Sequence, residues 1–312
     1  MAYIGRLFNM LICIFLIYNA IKKIPFGKKA ILALSYIPIL IEGITSLSGD
    51  GILISCSFLF IAEILNVRHS DYMMNTKQKI IIFILALIIG LSKMVYLPLL
   101  TLLFLIPKEK MKSHKNTYVI ITIIIVLLAY IGWSSFTVIY KSENRSGTDI
   151  KEIIVKTITN PIDFLAEITA TIEYLGDHYI KNFYGSELGW LENIKSNFFV
   201  PTILLVTSFL AIVNDSKIKL EKKENIIFIL CIILTTLMIF TSLYISWTIT
   251  GNNIIQGVQG RYFIPIAPLI FLLISNLKIS ANYSEQTISK FIGIIGCLVN
   301  NYVCINILMH NI

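Results

Sequence analysis

Charge is the scarcest property of this sequence. Asp, Glu, Lys and Arg make up 14% of its 312 residues, whereas a soluble domain carries about 25% because its surface must be wetted. That shortage excludes an ordinary soluble protein. Cysteine is sparse too: Cys13, Cys56, Cys231, Cys297 and Cys304 all fall in apolar blocks, with no C-x-x-C pair. The spacing argues against a disulfide framework and predicts packing roles. The four histidines are scattered, and no H-E-x-x-H, P-loop, G-x-G-x-x-G or Ser/His/Asp pattern occurs. No cofactor is identified, and a divalent metal stays open without a ligand cluster to hold it. No small-residue cleavage site follows Arg6 and its apolar run, so a cleavable signal peptide is not expected.

What the sequence has is hydrophobic residues, 56% of the chain, in blocks such as Ile80–Gly90, Tyr118–Trp133 and Ile226–Tyr244. A membrane helix needs about 20 apolar residues. Spans are predicted near 4–21, 30–48, 51–67, 117–140, 198–214, 225–248, 261–277 and 288–309. The stretch 80–106 is too long for one helix, and Ser92-Lys93 interrupts it. Two short helices of about 13 residues meeting at Lys93 fit best, since broken helices survive at membrane depth only under cover. The expected fold is an all-α polytopic transmembrane bundle of about ten segments. It divides into membrane helices over 1–140, an extracytoplasmic loop over 141–197, and membrane helices over 198–312.

The formal net charge of +8 would suggest nucleic acid in a soluble protein; here it belongs to topology, and no nucleic-acid partner is expected. One alternating set of loops holds Lys22, Lys23, Lys28 and Lys29; Arg68, Lys77 and Lys79; Lys108, Lys110, Lys112 and Lys115; Lys217, Lys219, Lys222 and Lys223; and Lys278 and Lys290. By the positive-inside rule these loops face the cytoplasm. Both termini and the 141–197 loop then lie on the extracytoplasmic side of the membrane. Trp133, Trp190 and Trp247 fall on that outer side, as an interfacial belt would.

Residues 141–197 carry nine acidic and six basic residues, which sets this segment apart as the one long stretch outside the bilayer. Apolar positions recur there at helical spacing: Ile153, Ile154, Thr157, Ile158, Phe164, Leu165, Ile168, Ile172 and Leu175. Asn160-Pro161 divides them, with Asn160 as a cap and Pro161 in the first turn of the second helix. An amphipathic pair lying on the outer leaflet or over the bundle is expected, as a structural lid or a cover for a substrate.

An ionisable residue within a span marks a functional site by default. Arg6, Asp50, Lys93 and Arg261 lie at outer ends, with Glu42 slightly deeper and Ser46, Ser48, Gln256 and Gln259 nearby. Three cations on the side away from the lysine-rich loops suit a phosphate such as that of a polyprenyl carrier. Simpler roles exist for each: Asp50 capping a helix, Lys93 and Arg261 snorkelling, Arg6 anchoring the terminus, and Glu42 pairing with a cation.

Five stretches then carry a family resemblance. They are Gly5-Arg6-Leu7-Phe8-Asn9, Ser46-Leu47-Ser48-Gly49-Asp50, Ser92-Lys93-Met94-Val95-Tyr96, Gly185-Ser186-Glu187-Leu188-Gly189-Trp190-Leu191-Glu192, and Val258-Gln259-Gly260-Arg261-Tyr262-Phe263-Ile264-Pro265. In this order and spacing they resemble the bacterial membrane-protein family called domain of unknown function 2142, over nearly the whole chain. That family is similar to the GT-C glycosyltransferases, which take a sugar from a polyprenyl-phosphate carrier on the outer face of the membrane. The resemblance implies a protein of the cell envelope, acting in surface polysaccharide or glycolipid assembly, with Arg6, Tyr96, Trp190 and Gln259 joining Lys93 and Arg261 around the substrate. Asp50 is the carboxylate left for acid–base work. Members of the family resemble GT-C enzymes in carrying an acidic motif of the kind Asp-Glu…His in their first outer loop, after an earlier span. This chain begins at the Arg-x-x-Asn helix, so the resemblance implies a piece lacking that span and loop, with its activity in question. The alternatives are a transporter or flippase of lipid-linked intermediates and a non-catalytic scaffold of a polysaccharide synthesis complex.

Overall fold

A computed structural model of the chain describes residues 2–137, 150–189, 192–193, 199–213, 220–276 and 284–310. The helices run α1 Ala2–Lys23, α2 Lys28–Ser35, α3 Pro38–Thr45, α4 Gly49–His69 and α5 Thr76–Ser92, followed by 3-10 segments Met94–Leu105 and Lys108–His114. Then come α6 Lys115–Thr137, α7 Ile150–Thr159 and α8 Pro161–Phe183, and a two-stranded antiparallel pair, Glu187–Leu188 with Glu192–Asn193. The chain continues through α9 Phe199–Val213, α10 Lys222–Ser246, a 3-10 turn Gly260–Ile266, α11 Ala267–Ser275 and α12 Glu285–His310. α1, α4, α6, α10 and α12 are each long and apolar enough to cross a membrane. Phe15, Leu128, Ile233 and Leu298 point outward from four of them, which water would penalise and lipid does not. The protein is an all-α polytopic membrane bundle.

α4 is its hub. Of its most apolar window 83% is buried, against 17% in α1 and in α6. The hydroxyls buried in α4 bond back along the helix, Ser55 to the Gly51 carbonyl and Ser57 to the Leu53 carbonyl, each at 2.8 Å. Its buried carboxylate, Glu63, pairs with Lys23 of α1. At the lysine-rich end, Arg68 donates to Glu224 (2.9 Å), Glu221 (2.5 Å) and the Leu105 carbonyl (3.0 Å), while His69 lies 2.7 Å from Glu224. These bonds join α4, α10 and the end of the first 3-10 segment.

Two spans differ from expectation. The span predicted over 30–48 is two helices, α2 and α3, separated at Tyr36-Ile37. Pro38 lacks an N–H and disfavours helical backbone before it, and Ile37 is extended. Leu40, which would donate to Tyr36 in a continuous helix, donates to Ile37 instead. Asn300 of α12 supplies the missing donor to the Tyr36 carbonyl at 2.8 Å, so the break is satisfied by protein. The stretch 80–106 does break at Lys93, which is extended, but its halves are not two equal α-helices. α5 has 17 residues, because Asn75 and Gln78 form a capping box that starts it at Thr76. The second half is a 12-residue 3-10 segment. At about 2.0 Å per residue it reaches roughly 24 Å, and buried Tyr96, Leu99 and Leu103 show that protein covers its irregular backbone. Cys13, Cys56 and Cys231 are buried, whereas Cys297 and Cys304 are exposed on α12, a correction to the packing role expected for all five.

α7 and α8 form the expected pair on the side opposite the lysine-rich ends, here termed the loop side. Pro161 opens α8, and Asn160 holds the cap position without a side-chain capping bond. The pair lies over the bundle: α7 packs on α10, and α8 on α9 and the Gly260–Ile266 turn. Ile153, Phe164 and Ile168 face inward, while Ile158 and Leu165 of the predicted stripe stay exposed. Lys156 donates to Glu167 at 2.6 Å, joining the two helices. That bond holds the lysine pKa above its ordinary value.

Candidate functional site

The loop-side ends of α3, α4 and α5 meet the Gly260–Ile266 turn around one small pocket. α3 and α4 touch through their backbones: a Cβ on Gly51 would sit 2.7 Å from the Gly43 carbonyl oxygen. That approach carries the neighbouring residues Glu42 and Asp50 to the same cavity. The short loop between the helices is tied by its own hydroxyls. Ser46 Oγ accepts from the Ser48 N–H and donates to the Gly43 carbonyl, and Ser48 Oγ accepts from the Asp50 N–H. Asn9 of α1 donates to the carbonyls of Ile44 (3.2 Å) and Ser46 (2.8 Å) from behind. Ser48, not Asp50, therefore caps α4.

Lys93, at the end of α5, donates from Nζ to Asp50 Oδ1 at 2.6 Å. Both side chains are partly exposed, 38% and 26%, so solvent screens the pair. Tyr96 donates its hydroxyl to the Tyr262 carbonyl at 2.9 Å, which fixes the turn bearing Arg261. Gly260 brings that turn against α8: a Cβ there would overlap the Tyr179 carbonyl oxygen and the Phe183 nitrogen. In α8 itself, burial pushes the Tyr179 phenol up to about 12.

The Tyr262 ring stands near two cations, 5.3 Å from Lys93 Nζ and 5.7 Å from Arg261 Cζ, within cation–π range. Arg261 Nε is buried without a hydrogen-bond partner. Glu42 Oε1 accepts from the Gly189 N–H at 2.9 Å, and its Oε2 is buried without a partner. The cavity between these groups measures about 50 Å³ and is lined by Glu42, Ser46, Ser48, Asp50, Lys93, Tyr96, Arg261 and Tyr262 among others. A second cavity, of about 310 Å³, shares Lys93, Tyr96 and Tyr262 and extends along Met94, Val95, Tyr130, Ile239 and Leu243. A charged pocket thus opens beside a mainly apolar groove, with Lys93 and Tyr262 in the common wall.

Of the residues predicted for a site, Asp50, Lys93, Tyr96 and Arg261 converge here. Arg6 does not line the pocket; it is exposed on α1, 5.8 Å from the Tyr3 ring. Gln259 is not in the lining either, and its carbonyl accepts from the Tyr262 N–H at 3.1 Å. Trp190 lies outside the described residues. The sequence did not single out Tyr130 and Ser242, which line the second cavity, or the Gly189 amide, because isolated polar groups in apolar blocks and backbone donors leave no distinctive pattern. Among the described residues no three His, Cys, Asp or Glu side chains come together to hold a metal. Asp50 is engaged by Lys93.

The helices, their outward apolar faces and a polar pocket at one end define a multi-pass membrane protein. The family described as "Predicted membrane protein (DUF2142)" matches residues 1–270, and the chain belongs to that family. No curated protein and no solved structure matches it.

Proposed function

We propose that this protein binds a polyprenyl-phosphate-linked sugar on the loop side of the membrane and takes part in glycosyl transfer during surface polysaccharide or glycolipid assembly. The observation that carries this reading is the junction of the two cavities. Lys93 and Arg261 present cations suited to a phosphate, and the groove beside them is walled mainly by apolar side chains that suit an isoprenoid chain. The loop side is the face that the lysine distribution assigns to the exterior, where such carriers deliver sugars. Asp50 serves here by orienting Lys93.

The test is binding of undecaprenyl phosphate glucose to detergent-purified protein. Lys93→Ala with Arg261→Ala removes two charge-assisted contacts, each worth about 1.5–3 kcal/mol, so affinity should fall at least about a hundredfold while the unfolding profile is kept. Unchanged affinity removes the reading. A transporter of the same lipid is the second reading, supported by the buried Glu63 carboxylate paired with the partly exposed Lys23 toward the other face. Transbilayer movement of labelled carrier in proteoliposomes, without sugar transfer, would favour it.

A further inference from the structure

The pocket has an internal asymmetry of charge. Lys93 pairs with Asp50 through a partly exposed contact, whereas Arg261 and Glu42 line the pocket with no ion-pair partner among the described residues. Each also keeps one buried polar atom without a hydrogen-bond partner, Arg261 Nε and Glu42 Oε2. Glu42 is held in place, because its other oxygen accepts from the Gly189 N–H at 2.9 Å; Gly189 has a left-handed φ of 62°, where glycine is favoured. A ligand that satisfies both orphan atoms must bring an acceptor for the guanidinium and a donor for the carboxylate. Both groups line the same small pocket, so the donor must lie within a few bonds of the acceptor.

We propose that Glu42 is a specificity residue that reads a hydroxyl next to the ligand's phosphate, selecting the sugar-bearing carrier over the bare one. This rests on the carrier reading above. A glycosyl phosphate diester carries one negative charge and has sugar hydroxyls close to its phosphorus. Bare polyprenyl phosphate is a monoester with a charge of about −1.5 to −2 near neutral pH and has no sugar hydroxyl beside its phosphate. Glu42 therefore hydrogen-bonds the first and repels the second. Loaded carrier is retained, and spent carrier leaves once its sugar is gone.

The experiment is native mass spectrometry of the full chain with three probes: undecaprenyl phosphate, undecaprenyl phosphate glucose and glucose 1-phosphate. The wild type should bind the glucosylated lipid about tenfold more tightly than the bare lipid, the size of one hydrogen bond to a charged group. Glu42→Gln keeps an acceptor for Gly189 but loses the charge, and Glu42→Ala loses both; each should bring the two lipids to similar affinity. A wild type without preference, or a preference that survives in both variants, overturns the assignment. Glucose 1-phosphate binding as tightly as the glucosylated lipid would make a soluble sugar phosphate the ligand and overturn the lipid-linked source. Failure of the wild type to bind either lipid overturns the carrier reading itself.

Discussion

Gly260 shows how the absence of one side chain places a charge. The turn that follows it bears Arg261, and the turn reaches the pocket only because Gly260 lies against the α8 backbone at Tyr179 and Phe183. Gly260→Ala inserts a methyl group into backbone and should cost about 1–3 kcal/mol, read as a lowered melting temperature, with weaker carrier binding as Arg261 shifts. Unchanged stability and binding would show that this contact does not position the arginine. The glycine stood out in the sequence only as part of a motif, since its partner lies some 80 residues away in a helix whose docking no local pattern encodes. Asp50 illustrates the same limit. Ser48 and Asp50 are both good capping residues, and which one caps depends on where α4 begins. Lys93 was legible as a membrane-level cation, yet its pairing with Asp50 requires the α5 end to meet the α4 start.

Among the elements, the breaks were easier to read than the conformations on either side of them. Lys93 interrupts an apolar block visibly, and so it marks a boundary. Nothing local says that Met94–Leu105 will wind as a 3-10 segment, because that choice is made by its packing against α4, α5, α6 and α10. The break before Pro38 is stabilised from α12. Asn300→Leu should leave the Tyr36 carbonyl without a donor at a cost of about 1–3 kcal/mol, measured by thermal unfolding in detergent. Retained stability would mean that the break is satisfied in another way. The clamp of α4 to α10 is more demanding. Glu224 is fully buried and accepts from Arg68 with His69 beside it, so Glu224→Ala strands a buried cation. A loss of about 3–5 kcal/mol is expected, whereas a mild effect would show that Arg68 is satisfied by Glu221 and the Leu105 carbonyl alone.

For the whole molecule, composition and periodicity carried the fold a long way. Low charge and long apolar blocks define a multi-pass bundle without any motif, because lipid imposes its length and polarity on every span. What composition cannot supply is the order in which helices pack. The centrality of α4 emerges only when its burial is compared with that of α1 and α6. The five motif stretches are scattered from Gly5 to Pro265, yet each brings at least one residue to one pocket or behind it: Asn9 braces the α3–α4 loop, Asp50 and Lys93 pair in its wall, Gly189 holds Glu42, and Gly260 seats Arg261. The proposed orientation rests on lysine placement alone. A cysteine replacing Ser146 should react with an impermeant maleimide added to intact cells, and one replacing Ser113 should not. The reverse pattern would invert the membrane sidedness and remove external delivery of a sugar.

The most direct test of the carrier site is a cryo-electron microscopy structure of the protein in nanodiscs supplied with undecaprenyl phosphate glucose. The account predicts phosphate density between Arg261 and Lys93, and isoprenoid density running along Met94, Val95, Tyr130 and Leu243. Carrier density at the lysine-rich end, or a pocket without phosphate at saturating carrier, would contradict it.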